Sequence, residues 1–467
     1  MESEWTRFRK RRWLVAGMVV AALVPVLVGI MIAATSRATC GNQAGEEPCP
    51  GPVLGPGGLA VEDKFYFVHQ SLRGDGSITA RVSSMTGRIK EPPPPGTGGG
   101  PPPVPGLVPW AKAGLMVKDG VRRGSRYAAI MVTAEHGVRM QHDFTEDVAG
   151  SSGAFPRWLR LTRTGDTLVG HESADGKAWT EVGRAELKGL PGTVEIGLFA
   201  ASPGALTMAG GGPESRFSEA TAVFDKVSPK DGTWRTDDIG VTMEPDGVTP
   251  HHPGAFSRSG DTFTVTGVGD IAPSSDLQPV ERTLIGAYAG LILVVIVAVA
   301  FVTADPGRLW PKAGVVGVLG FVAGVVPAAV VVPVSLWMLP ANGIHPLPAE
   351  PLTYARVIVG TGLLSAAVAV LSLGVGALLR RTAVAVVAVL SLVFLPYALA
   401  LAGVGEWLLA VTPAAGFAIQ QSARRYDQVD GFYTAMTGYF PLAPWAGFAV
   451  LCAYAALGLA LAKRRLP

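Results

Sequence analysis

Apolar and polar positions divide this chain into three stretches. One uninterrupted apolar run, 13–34, stands near the start, behind the basic string "RFRKRR" at Arg7–Arg12. Five more apolar runs crowd the last third, at 283–304, 313–338, 357–379, 382–404 and 442–462. Each is long enough to cross about 30 Å of hydrocarbon as a helix. Between the first run and the second, residues 35–282 change character: apolar residues alternate with polar ones over short stretches, separated by turn residues. In "SITARVSSM" (Ser77–Met85), Ile78, Ala80 and Val82 fall on one face of a strand. "YAAIMVTAEHGVRMQ" (Tyr127–Gln141) reads as two strands around a turn at Glu135–Gly137. "RWLRLTRTGDTLVGHESADGKAWTEVG" (Arg157–Gly183) reads as two hairpins, turning at Thr164–Asp166 and Asp175–Gly176. The pattern predicts six transmembrane helices plus an all-β antiparallel sandwich inserted between the first helix and the second.

This gives a basic entry segment 1–12, a stalk 35–57, the sandwich 58–282 and a tail 463–467. The Pro/Gly-rich stretch 92–106 packs as neither helix nor strand and reads as a spacer loop. The first apolar run exceeds the 7–15 apolar residues typical of a signal peptide, so it is expected to remain as an anchor.

Charge sets the orientation. Arg7–Arg12, Arg308, Lys312, Arg380, Arg381 and Lys463–Arg465 fall in one set of loops, whereas the alternate short loop, 339–354, holds no Lys or Arg. Basic loops face the cytoplasm. The expected protein is therefore a multi-pass plasma-membrane protein with both termini cytoplasmic and residues 35–282 outside. Across all 467 residues only 16% are charged, against about 25% in ordinary globular chains. A net charge of +3 is too small to argue for nucleic acid. Cys40 and Cys49 lie close together on the outer side, where a disulfide and two free thiols are both open, and Cys452 reads as apolar packing.

Little here suggests catalysis. Glu146 and Asp147 are adjacent and would point to opposite faces of a strand, and no ExDxxE string exists. His171 has no nucleophile beside it. "GHESADGKA" (Gly170–Ala178) lacks P-loop spacing, so no enzyme, cofactor or metal site is expected in this chain. The apolar runs carry no well-placed Asp, Glu or Lys, against a proton-coupled carrier. "GEWLLAVTPAAGFAIQQSARRYDQVDGFY" (Gly405–Tyr433) reads as an interfacial helix followed by a lid. Trp407, Trp445, Tyr426 and Tyr439 would form an outer aromatic belt in the lipid bilayer.

Two resemblances add to this reading. "VPWAKAGLMVKDG" (Val108–Gly120), Arg157–Gly183 and "GTVEIGLFAAS" (Gly192–Ser202) together resemble concanavalin A-like, laminin G-like jelly rolls. That implies a jelly-roll sandwich in which Trp110, Trp158 or Trp179 could meet a cell-envelope glycan. The chain also resembles actinobacterial ABC transporter permeases of the type-2 export class. The match rests on Ser3–Trp13, "VERTLIGAYAGLI" (Val280–Ile292), Leu378–Ala400, "TPAAGFAIQQS" (Thr412–Ser422) and Tyr439–Arg465. "SGDTFTVTGVGDIAP" (Ser259–Pro273) recurs in the same branch. This implies a permease in a homo- or heterodimer, with ATP hydrolysed by a separate ABC ATPase subunit. Its docking candidates are Glu4, Arg7, Arg9, Arg308, Lys312, Arg380 and Arg381. One departure stands out. "ADPGRLWPKAG" (Ala304–Gly314) is short and broken by Pro306, Gly307 and Pro311 where the family carries a longer, partly helical loop. That leaves weaker coupling, a degenerate subunit, or a non-transporting, lectin-like envelope-binding or sensor protein.

Overall fold

The computed structural model describes residues 4–40, 47–91, 102–153, 155–209, 212–229, 232–240, 242–243, 250–251, 254–274, 277–305 and 307–465. Two large antiparallel sheets fill its β-rich region. Their strands, in chain order, are β1 (Phe65–Arg73), β2 (Gly76–Ile89), β3 (Lys112–Lys118), β4 (Tyr127–Thr133), β5 (Val138–His142), β6 (Glu146–Ala149), β7 (Arg157–Thr164) and β8 (Thr167–Ser173). There follow β9 (Thr180–Glu186), β10 (Thr193–Ala201), β11 (Ala205–Ala209), β12 (Gly212–Arg216), β13 (Ser218–Ser228), β14 (Arg235–Ile239), β15 (Ala255–Ser259) and β16 (Thr262–Gly267). One sheet runs β6-β5-β4-β3-β10-β1-β14 and the other β9-β8-β7-β2-β13-β16-β15, while β11 and β12 form a separate hairpin.

The period-two pattern explains the core. Ile78, Ala80 and Val82 of β2 and Leu159 and Leu161 of β7 are fully buried against Leu115, Val117, Ile130 and Val132 of the opposite sheet. Their sequence neighbours therefore face outward. The second face of the β4-containing sheet is covered as well: Val61, Phe65, Phe67, Met116, Tyr127, Phe144, Phe199 and Ile271 form another buried cluster. Of the spacer loop 92–106, residues 92–101 lie outside the described residues.

The helices are α1 (Glu4–Lys10), α2 (Arg12–Thr35), α3 (Ala287–Thr303), α4 (Leu309–Ala341), α5 (Pro351–Leu379), α6 (Thr382–Leu401), α7 (Leu408–Val411) and α8 (Pro444–Arg465). Five of them, α2, α4, α5, α6 and α8, are long and apolar enough to cross a membrane; α3 is apolar but only 17 residues long. Helix α5 is the most enclosed, with 67% of its most apolar window buried. Small residues let neighbours approach it: a side chain at Gly324 would meet Ser365, and one at Gly374 would meet the backbone of Gly458 in α8.

Several boundaries differ from the sequence reading. Helix α4 begins at Leu309 rather than 313, because Pro311 falls in the first turn, where its missing N–H has no helical partner to lose. Helix α5 begins at Pro351, six residues before the apolar run, so Arg356 is helical. The stretch 405–433 holds no amphipathic interfacial helix. After the single turn α7 comes a 3-10 segment, Pro413–Gln420, buried at every residue. Its Ala and Gly content allows this: it wedges between α5 and α8, and a side chain at Gly416 would meet Leu451 and Leu364.

Candidate functional site

The two ends of the helical bundle carry its polar chemistry. At the end facing the sandwich, the 3-10 turn Val280–Leu284 leads into α3 and presents Glu281. Glu281 Oε2 accepts the Ser422 hydroxyl at 2.5 Å and the Ser422 N–H at 3.0 Å. The Val280 N–H donates back to Ser422 Oγ at 2.9 Å. Glu281 Oε1 is buried without a partner. Burial, opposed in part by the Ser422 bonds, pushes this carboxyl up to about 7. Beside it, Arg356 of α5 donates to the carbonyls of Ile419 at 2.9 Å and Gln421 at 2.6 Å, satisfying the end of the buried 3-10 segment. Gln420 donates to Thr361 Oγ1 at 2.9 Å.

From this knot the chain leaves the bundle as a strap, residues 421–440. Its base is closed by Gln421 Oε1, which accepts the Phe440 N–H at 3.1 Å. Its tip reaches the sandwich: the buried Gln428 amide donates to the carbonyls of Thr145 at 2.9 Å and Phe144 at 3.3 Å. Asp143 and Phe144 both hold positive φ, and Arg126 pins Asp143 at 2.6 Å. The Tyr433 hydroxyl donates to Val429 O and Tyr426 O inside the strap. A second tie joins the α4–α5 turn to the end of α2 and the stalk after it. Asn342 donates to Ala33 O at 2.9 Å and accepts the Ala38 N–H at 2.9 Å, and a ring nitrogen of His345 lies 2.9 Å from Cys49 O. Cys40 and Cys49 are joined in a disulfide.

At the opposite end, α1 folds onto the α3–α4 turn. Lys312 is fully buried, its Nζ 3.1 Å from Asp305 and 3.9 Å from Glu4, over the Phe301 ring. Arg7 bridges Asp305 at 3.1 Å and Glu4 at 3.2 Å, and Phe8 packs edge-on against Phe301. The Lys312 hydrogen bond holds the Asp305 carboxyl below its ordinary range. Of the docking candidates, Glu4, Arg7 and Lys312 are thus brought into one internal ion cluster, which leaves Glu4 and Lys312 out of reach of a partner. Arg9, Arg308, Arg380 and Arg381 are exposed, with Arg380 also donating to Arg465 O at 3.2 Å.

The three tryptophans separate. Trp110 is only 3% exposed, stacked on His136 at 4.1 Å with Lys112 and Arg139 nearby, so it is core. Trp158 and Trp179 are half-buried, and each is accompanied by a guanidinium, Arg81 at 6.0 Å and Arg160 at 3.9 Å. Asp147 is tied to Arg139 and Gln141, while Glu146 is exposed. Among the described residues no group of three His, Cys, Asp or Glu could hold a metal ion. Sequence reasoning missed Glu281, Ser422, Arg356 and Gln428. The available signal was one acid and one base at the mouths of two apolar runs, on the same side of the expected membrane.

No family model and no curated protein matches this chain. Among solved structures, one similar chain is a functionally unknown protein from Saccharomyces cerevisiae. It shares 15% identity over 44% of this chain and 93% of its own, with a TM-score of 0.22. A likeness that weak carries no argument.

Proposed function

We propose that this chain is the membrane-spanning permease subunit of an ABC-type exporter. A separate ATPase subunit powers it, and a concanavalin A-like jelly roll caps it outside. On this reading α3 is the sixth span, and the turn Val280–Leu284 leads into it from the outer side. The subunit sits in the plasma membrane with both termini cytoplasmic and residues 35–282 outside, and works in a homo- or heterodimer. One observation carries the reading: the Glu4–Arg7–Asp305–Lys312 cluster clamps α1 to the start of α4 and the end of α3. A push on the exposed Arg9, Arg308, Arg380 or Arg381 is then delivered to helices that run to the sandwich end. Switching by movement of packed helices needs such a rigid handle.

The test is purification from membranes in mild detergent, followed by mass spectrometry and ATP hydrolysis after reconstitution. A P-loop ATPase should co-purify, and charge reversal at Arg9 together with Arg380 should weaken its retention. Recovery of the chain with no ATPase refutes the proposal. The turn between α3 and α4 spans only 304–308, and this favours a second reading, a membrane-anchored lectin-like envelope-binding or sensor protein. Saturable glycan binding lost on Trp158→Ala or Trp179→Ala, with no ATPase, would establish it.

A further inference from the structure

A groove runs between the sandwich and the strap. One part, of about 250 Å³, is walled by the β11–β12 hairpin, the segment 277–282 and residues 430–439 of the strap. A second part, of about 310 Å³, continues from it under β11 and shares Leu206, Ser215 and Asp430. Its walls come from both halves of the molecule, so it exists only while they are docked.

Its cations are already used. Lys64 pairs with Glu62 at 2.9 Å, Arg216 pairs with Glu91 at 3.0 Å, and Arg282 donates to Met436 O. Two carboxylates, Asp430 and Glu214, make no hydrogen bond or ion pair among the described residues; the charges of His136 and of Lys112, itself paired with Asp270, reach Asp430 only from a distance. Asp430 stands where the two parts meet, and burial raises its carboxyl above the ordinary range. Rings complete the wall. Tyr439 and Phe432 line it, and the Tyr439 hydroxyl is turned to Arg424 O. Tyr433 already carries Arg425 over its ring at 4.6 Å and meets the Tyr439 ring in an edge contact at 4.8 Å, which leaves Phe432 and the side of Tyr439 away from Tyr433 for a ligand. Leu206, 39% exposed, adds an apolar edge.

A half-buried, unpaired carboxylate beside aromatic rings attracts a cation that has an apolar body, by Coulomb attraction and by the ring quadrupole. An anion would meet Asp430 and Glu214 with no spare cation to offset them. We infer that this groove is a binding site for an organic ammonium ion, with Asp430 as its counter-charge. The site is independent of whether the chain exports anything.

The experiment uses the full-length protein in an uncharged maltoside detergent, with choline as probe and its neutral isostere 3,3-dimethylbutan-1-ol as control, followed by calorimetry. Choline should bind saturably and the isostere should not. Asp430→Asn should weaken choline about tenfold or more, and Glu214→Gln, on the other wall, should weaken it severalfold. Asp427→Asn, a strap carboxylate that does not line the groove, should change nothing. Equal binding of the isostere, no saturable choline binding, or unchanged affinity in Asp430→Asn overturns the inference. None of these results alters ATPase recovery, so failure here is distinct from failure of the exporter reading.

Discussion

Glu281 should make the hold of the strap depend on pH. Its carboxyl is held at about 7 in the folded protein, against an ordinary value of 4.5. Between those values the folded knot keeps a proton that an opened knot releases. Stability therefore falls as pH rises from about 4.5 to about 7 and is level above that. The unpartnered Oε1 is the oxygen expected to take that proton, because Oε2 already accepts two bonds from Ser422. The interval corresponds to about 3 kcal/mol at 1.36 kcal/mol per pH unit. Solvent at the partly exposed residue screens some of it, leaving about 1–2 kcal/mol. That amounts to roughly a 5–30-fold change in how often the knot opens. Hydrogen exchange read by mass spectrometry on peptides within 412–440, corrected for intrinsic rates, measures this directly. Protection should drop by that factor between pH 5 and pH 7.5. Glu281→Gln supplies a permanent N–H in place of the titrating proton, so its protection should stay high and flat. The groups facing Glu281 are Arg356, Tyr288 and Tyr439, none of which changes charge in this window. A flat profile in the unaltered protein, or the same slope in Glu281→Gln, refutes the reasoning.

Removing Lys312 takes the fully buried cation from beside Glu4 and leaves Arg7 alone to hold both Glu4 and Asp305, so Lys312→Met should cost about 3–5 kcal/mol locally. It should expose Arg7–Arg12 to trypsin, and Glu4→Gln in the same chain should restore part of the resistance. Gln428→Ala unpairs two carbonyls at the strap tip, a loss of about 1–3 kcal/mol. Exchange of the 143–146 amides should rise while the β2 and β7 amides stay protected. Trp110→Ala empties a packed site and should destabilise the sandwich by about 3–5 kcal/mol in thermal unfolding. Trp179→Ala, at a half-buried surface position, should cost no more than about 1 kcal/mol.

The alternation in Ser77–Met85 identified the buried face of β2 because a strand buries every second residue, and one residue of slip would have reversed it. The apolar runs located the helices for a similar reason, since a span must be apolar along its length. Where those runs end was less legible. Arg356 looks like a boundary in the sequence, yet it is tolerated inside α5 because two carbonyls of a distant segment receive its guanidinium. The same limit hid the knot. Glu281 and Ser422 stand 141 positions apart, and Gln428 and Thr145 stand 283 apart. Nothing in the local pattern of either residue names its partner.

The two ends of the bundle handle buried polarity in different ways, and the difference bears on which end can move. At the α1 end, opposite charges face each other in a cluster, and pulling them apart strands Glu4 in a buried site. Such a contact is all or nothing, which suits a rigid handle. At the sandwich end, most ties run from one side chain to backbone carbonyls: Arg356 to Ile419 and Gln421, Gln428 to Thr145, Asn342 to Ala33. Carbonyls exposed by opening can take water instead, so a neutral tie from Gln428 or Asn342 is worth about 1 kcal/mol net and one from the Arg356 guanidinium about 1.5–3 kcal/mol. The exception is Glu281, whose hold varies with its proton. If force enters through α1, the first joint to yield is then the strap, with Glu281 setting how readily it does so.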